Sequence, residues 1–224
     1  MENRIILIAG GTGLVGTHLK KWLLASGFEV KVLSRKPTSK KQNIFHWDPV
    51  NEKIDPQALE NVKTIVNLAG SGIAEQPWTP WRKREILNSR VFSTKFLVNI
   101  LNGTDHTIKT FISSSAIGIY GNTGLEIVHE EHESADTFLA KTCIRWEKEA
   151  NRLTNPKVRK VIIRISNVLA KDSGIATTLL STFKFRVAPV FGTGKQYFSW
   201  IHIDDLCSLI SCSITNEKFS GVYN

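Results

Sequence analysis

Three short stretches of this chain carry residue types at spacings with chemical meaning. Gly10-Gly11-Thr12-Gly13-Leu14-Val15-Gly16 follows the apolar run Arg4-Ile5-Ile6-Leu7-Ile8-Ala9 directly. Ser34-Arg35-Lys36 ends a second apolar run, with Lys40 and Lys41 close behind, and Ser113-Ser114-Ser115 ends a third. Glycines at 10, 13 and 16 suit a tight turn, close approach of bare backbone to a pyrophosphate, and close packing of the next helix on the sheet. The free N–H groups of that helix then point at the anion. A strand before, a helix after and a second strand closing the unit supply the context that the spacing alone lacks. The expectation is a dinucleotide-binding βαβ unit, with Gly10, Thr12, Gly13, Leu14, Val15 and Gly16 as cofactor contacts.

The end of the second strand bears on which dinucleotide. An NAD-preferring unit usually carries Asp or Glu there, for the ribose 2′-hydroxyl. A hydroxyl and a guanidinium instead suit a 2′-phosphate, which the planar fork of Arg matches well. Ser34 and Arg35 are the expected direct contacts and Lys36 a weaker one; a solvated basic loop is the alternative. NADP(H) is the expected cofactor, with NAD(H) the less favoured one.

Around these stretches strands and helices alternate, which calls for a parallel sheet covered on both faces. The pattern predicts strands over 4–9, 29–33, 43–47, 63–68, 109–113 and 158–165, and helices over 14–26, 80–101 and 135–153. Pro80 suits a first helical turn. Arg82, Lys83, Arg84 and Glu85 read as its solvated start, and Ser134 or Asp136 as the cap of the third helix. After Asn167 the alternation loosens into a basic helix over 177–187, a Gly192-Thr193-Gly194 turn and an aromatic strand over 196–203. A helix capped by Asp204 or Asp205 follows, and Gly221-Val222-Tyr223-Asn224 begins a strand or a connection. The fold class is therefore α/β, a Rossmann-type doubly wound parallel sheet. Residues 1–166 form the cofactor domain. Residues 167–224 form a small substrate-side region, interleaved with the last Rossmann elements.

With 42% hydrophobic and 22% charged residues, the composition is that of an ordinary globular chain. A net charge of +9 favours anionic ligands. The cations are dispersed, and no nucleic-acid-binding motif is present, so no specific nucleic-acid partner is expected. Cys143, Cys207 and Cys212 are too few and too irregular for a disulfide framework or a metal site. No signal-peptide layout and no bilayer-length apolar stretch is found. A cytoplasmic protein with no membrane partner is the expectation.

Beyond the glycine turn, further strings resemble one family. They are Asn67-Leu68-Ala69-Gly70, Trp78-Thr79-Pro80, Ser89-Arg90-Val91, Ser113-Ser114-Ser115-Ala116, Tyr120-Gly121, Phe138-Leu139-Ala140, Trp146-Glu147 and Ser199-Trp200-Ile201-His202-Ile203-Asp204-Asp205-Leu206. Together they resemble the extended and atypical short-chain dehydrogenase/reductase superfamily, and within it the YfcH-like proteins called epimerase family or NAD-dependent epimerase/dehydratase. Such proteins run several tens of residues beyond the position of Asn224, so the resemblance implies an incomplete substrate region. It also implies that the backbone of Asn67, Leu68, Ala69 and Gly70 lies along the adenosine side of the cofactor. Asp48 either accepts from the adenine amino group or starts a turn with Pro49. Members often pair through two long helices, which makes a homodimer an option.

Dehydrogenases of this superfamily use a Tyr-x-x-x-Lys pair on the helix predicted at 135–153, where the Lys charge eases proton exchange by the phenol. Here Leu139 and Cys143 take those places; a shifted register gives Thr137 and Lys141. The resemblance leaves Ser115 to hold the substrate oxygen. Tyr120 is the first replacement for the missing acid–base, with Lys141, Cys143, His129 and His132 behind it. Arg90 takes the place of a family Asn and either binds an anionic substrate or forms a structural ion pair. His202 lies where extended members place substrate-side residues. Two functions follow: an NADP(H)-dependent oxidoreductase or epimerase-like enzyme acting on a small hydroxyl- or carbonyl-bearing substrate, or a non-catalytic NADP(H)-binding regulator that senses redox state.

Overall fold

The structure is a computed structural model that describes residues 5–103, 106–171, 193–194 and 196–224. Its centre is β1 (Ile5–Ala9), five buried residues whose alternate side chains serve two cores. α1 (Leu14–Ala25) leads to β2 (Glu29–Ser34), then β3 (Ile44–Asp48) and the two-residue β4 (Lys53–Ile54). The chain then crosses back to β5 (Val62–Asn67). α2 (Pro80–Asn102), β6 (Thr110–Ala116), α3 (Phe138–Ala150) and β7 (Arg159–Ile165) follow. Short β8 (Asn167–Leu169) and β9 (Trp200–His202) pair with each other before α4 (Ile203–Thr215) and β10 (Gly221–Tyr223).

The main sheet has the order β10-β7-β6-β5-β1-β2-β3-β4, parallel throughout except for the β3–β4 pair. The connection direction reverses between β1 and β5. In an open α/β sheet, such a switch point opens a crevice at the carboxyl ends of the strands. Ile5, Leu7 and Ala9 face α2 and α3, packing with Phe96, Leu97, Leu101 and Ala150. Ile6 and Ile8 face α1 and α4, packing with Leu19, Leu23, Leu206 and Ile210. Each of the Ile, Leu and Phe side chains contributes about 1.5–3 kcal/mol by leaving water. The two apolar faces make the helices cover both sides of the sheet.

Several expectations change in detail. The short β4 and β8 carry no periodicity long enough to read. The aromatic strand is three residues long, not eight. α3 starts at Phe138 because Thr137, not Ser134 or Asp136, accepts from Ala140 N at 3.1 Å. α4 is capped by His202, whose Nδ1 accepts from Asp204 N at 3.3 Å; Asp204 and Asp205 sit in its first turn. Residues 221–223 form a strand, parallel to β7. The start of α2 is not wholly solvated: Arg82 is buried and donates to Glu85 at 2.6 Å and to the Gly72 carbonyl at 2.5 Å. The predicted helix over 177–187 lies outside the described residues. Among the described residues, no helix is long and apolar enough to cross a membrane.

Candidate cofactor and reaction site

At the end of β1 the chain turns with Gly10 at φ +80°, a region that L side chains avoid. A Cβ there would lie 2.6 Å from the Leu68 carbonyl oxygen, so the turn is pressed against the end of β5. At Gly16 a Cβ would meet the Gly11 Cα at 2.6 Å, so α1 can start close to the turn only without a side chain. No side chain caps α1, and its first turn holds no acid. Those backbone donors stay open to an anion.

This turn forms one wall of a cavity of about 610 Å³. Gly10, Thr12 and Gly13 line it together with Ser34, Arg35 and Lys36 from the end of β2, and with Leu68, Ala69 and Gly70 after β5. Trp47, Asp48, Pro49 and Val50 follow from β3, and Trp81, Arg84, Glu85, Asn88 and Phe92 from α2. Leu14, Val15 and Gly16 stand just behind, on α1. The volume is that of a small-molecule site. Its mouth holds Arg35, Lys36 and Arg84 against Asp48 and Glu85, and Ser34 is the last residue of β2. Asp48 lies in this wall and also starts a turn: its carboxylate accepts from Val50 N, Asn51 N and Asn51 Nδ2 at 3.0, 3.2 and 2.7 Å. Those bonds, chiefly the one from the Asn51 amide, hold its carboxyl below the usual range.

Asn67 lies deeper and braces the switch point instead of lining the cavity. Its Nδ2 donates to Thr94 Oγ1 at 2.9 Å, and its Oδ1 accepts from Ala69 N at 3.2 Å. Ser114 Oγ donates to its carbonyl at 2.8 Å. Trp146 Nε1 shares Thr94 Oγ1 at 2.8 Å, tying α3 to α2.

The region past β6, which holds the expected catalytic residues, is built differently. Ser115 is buried, and its Oγ donates to Glu147 Oε1 at 2.6 Å. Glu147 is gripped by Arg164 of β7, with Nε 2.8 Å from Oε1 and Nη2 2.9 Å from Oε2. Such a fork-to-carboxylate pair is strong and directional. Arg164 Nη1 also donates to the Tyr120 hydroxyl and to the Glu130 carbonyl. Tyr120 in turn donates to Asn224 Oδ1 at 2.7 Å and is 7% exposed. The Glu147 bond pushes Arg164 above its ordinary range. Burial pushes the Cys143 thiol up, and the Glu147 charge adds to this.

The other sequence candidates separate here. Leu139 packs beside Gly118, and Thr137 caps α3. Lys141 is exposed and paired with Asp136 at 2.6 Å. His132 stands edge-on to the Tyr120 ring, with centroids 5.9 Å apart. Arg90 donates to the carbonyls of Ser71 and Ile86 and has no carboxylate partner among the described residues. His202 is half exposed at the start of α4. Glu147 and Arg164 were not anticipated. Their signal was legible: Ala140, Cys143, Glu147 and Ala150 share one buried helical face. A carboxylate on such a face requires a cation.

Comparison with known proteins fits this arrangement. The family model described as NAD dependent epimerase/dehydratase family matches residues 6–224. The epimerase family protein Mb2239 of Mycobacterium bovis is 32% identical over 225 residues, all of this chain and 73% of its own length. The chloroplastic SDR39U1 homolog of Arabidopsis thaliana is 33% identical, over 98% of this chain and 65% of its own. The crystal structure of human epimerase family protein SDR39U1 (isoform 2) with NADPH superposes with a TM-score of 0.89 at 29% identity, over 98% of this chain and 73% of that one. Shared fold, shared sequence and a glycine turn opening on a nucleotide-sized cavity make this chain an NAD(P)-binding member of the NAD-dependent epimerase/dehydratase family.

Proposed function

We propose that the protein is an NADP(H)-dependent oxidoreductase or epimerase-like enzyme acting on a small hydroxyl- or carbonyl-bearing substrate. The observation that carries this is the continuity of one cavity from the bare glycine turn to Ser34, Arg35 and Lys36, with no carboxylate at the end of β2. The solved human relative is described with NADPH. The backbone of Gly10 to Val15 holds the pyrophosphate, and Ser34 and Arg35 hold the 2′-phosphate. Asp48 and the backbone of Leu68, Ala69 and Gly70 lie along the adenosine. When bound, the nicotinamide supplies or accepts hydride.

The chain's own residues do the rest. Ser115 accepts from a substrate hydroxyl, because its own proton goes to Glu147; it donates to a substrate carbonyl oxygen only when that bond opens. Tyr120 exchanges a proton once its bond to Asn224 opens. His202 contributes from the start of α4. The test is a side-by-side titration of NADPH and NADH by nicotinamide fluorescence. NADPH binding at least ~tenfold tighter, about 1.4 kcal/mol, supports the reading; equal binding returns 34–36 to a solvated loop.

A second reading, a non-catalytic NADP(H)-responsive regulator, is favoured by one observation. The Ser115 and Tyr120 hydroxyls are both already committed to protein partners. Tight NADPH binding with no turnover on a carbonyl panel selects it.

A further inference from the structure

Arg90 is a half-buried arginine with no carboxylate partner among the described residues. Its guanidinium fits against bare Gly70, where a Cβ would come within 3.0 Å of Cζ, and lies 5.4 Å from the centroid of the Trp146 indole. Nη1 uses both its hydrogens, on the carbonyls of Ser71 and Ile86 at 3.0 Å each. Among the described residues, Nε and Nη2 have no hydrogen-bond partner, and neither is a sealed, unpartnered atom like Arg82 Nε. Arg82 is answered by Glu75 and Glu85 and Arg164 by Glu147, while Arg159 spends both its Nη groups on the carbonyls of Phe219 and Ser213. Cys143, beside Arg90, adds no charge, since burial keeps the thiol protonated. Burial also pulls Arg90 itself below the usual arginine range.

Desolvation without a counter-ion is costly, and carbonyl bonds offset only part of it. The fork is nonetheless held rigid by two carbonyls and an indole. Its open Nε–Nη2 edge presents two parallel N–H groups, the pattern that matches the two oxygens of a carboxylate. Ser71, Ser89 and Ser93, which flank it, line the cavity, and Arg90 stands behind them, outside the lining.

We propose that Arg90 receives a carboxylate of the substrate on its Nε–Nη2 edge, so that the substrate is a small hydroxy- or oxocarboxylate. This rests on the oxidoreductase reading above and names its substrate class. Three groups then divide cofactor and substrate between them. The glycine turn takes the pyrophosphate, Ser115 takes the reacting oxygen, and Arg90 takes the acid group.

The test titrates NADPH-loaded protein with pyruvate, glycolate and malonate at constant ionic strength, following NADPH fluorescence and saturation-transfer NMR of the carboxylate. Phosphate is run alongside, and the NMR titration is repeated without NADPH. At least one carboxylate saturates the wild type in the millimolar range. Its Kd rises at least ~tenfold in R90M and less in R90K, while the NADPH Kd of both variants stays within about twofold. Equal carboxylate binding by wild type and R90M overturns the proposal. So does the absence of saturable binding to the wild type, phosphate binding tighter than every carboxylate, or a fall in NADPH affinity matching that for the carboxylate. If R90M melts early, R90K carries the comparison. Failure of the wild type to bind NADPH sinks the oxidoreductase reading separately, because the NMR titration without cofactor still reports on Arg90.

Discussion

Two regions at the carboxyl edge of the sheet, the glycine turn and the Ser115 network, are made of opposite materials. The cofactor end is backbone: glycines at 10, 13 and 16, an uncapped helix start, and the small residues Ala69 and Gly70. Its donors are left open, and cations collect at its mouth. The region past β6 is side chain: Ser115, Glu147, Arg164, Tyr120 and Asn224 form a closed run of hydrogen bonds in which nearly every donor is spent. An open set of donors binds whatever fits its shape and charge. A closed set fixes geometry, and it yields to a ligand only where a bond opens or a lone pair remains. The family resemblance therefore transfers readily at the first end and poorly at the second, where the Tyr-x-x-x-Lys pair is replaced by Leu139 and Cys143.

That contrast can be broken at either end, and the largest effect is expected at the closed one. Glu147→Ala leaves the buried Arg164 uncompensated and should cost about 3–5 kcal/mol of stability in urea unfolding. A loss under about 1 kcal/mol would mean that the network is not what holds this end together. At the open end, Gly16→Ala drives a methyl into the Gly11 backbone. NADPH affinity should fall about a hundredfold, about 2.7 kcal/mol, as the turn is pushed off its geometry. Unchanged affinity would show that the turn does not touch the cofactor.

Smaller changes sharpen the comparison. Arg35→Ala should weaken NADPH about tenfold, about 1.4 kcal/mol, and leave NADH where it was; an equal loss for both would detach Arg35 from the 2′-phosphate. Thr79→Ala removes the cap that accepts from Arg82 N at 3.2 Å. It should cost about 1 kcal/mol in thermal unfolding and nothing in cofactor binding. Thiol labelling probes the closed end most gently. Burial pushes Cys143 up and Cys207 up to about 11, whereas Cys212 is exposed. At pH 8 iodoacetamide should modify Cys212 at least ~tenfold faster than the other two, because the thiolate is the nucleophile. Fast labelling of Cys143 would show that this region opens in solution.

The elements read from sequence and those observed agree best where the signal is dense. β1, α1 and β2 fall within a residue of expectation, since an apolar run, a glycine turn and an amphipathic stretch are each local. α2 was legible from Pro80; its cap, Thr79, emerged only in the structure. The boundaries that moved were set by single side chains competing for one role. Thr137 outbid Ser134 and Asp136 as cap of α3, and His202 took the cap of α4. Arg82 was misread because a charged residue in a first turn is usually solvated, and nothing in the sequence brings Gly72, Glu75 and Glu85 around it.

The sequence by itself determined the fold class, the position of the nucleotide turn and the basic character of the β2 end. All three rest on contacts within a few residues, where periodicity, glycine and charge act directly. Only the tertiary structure decided which polar groups meet. Ser115 and Glu147 are 32 residues apart, Tyr120 and Arg164 are 44 apart, and Tyr120 and Asn224 are 104 apart. Adjacent parallel strands and the helix laid across them bring these groups together, and burial then forces each to find a partner. For Arg90 the described fold supplies two carbonyls and an indole but no carboxylate, a fact visible only once all its neighbours were in place.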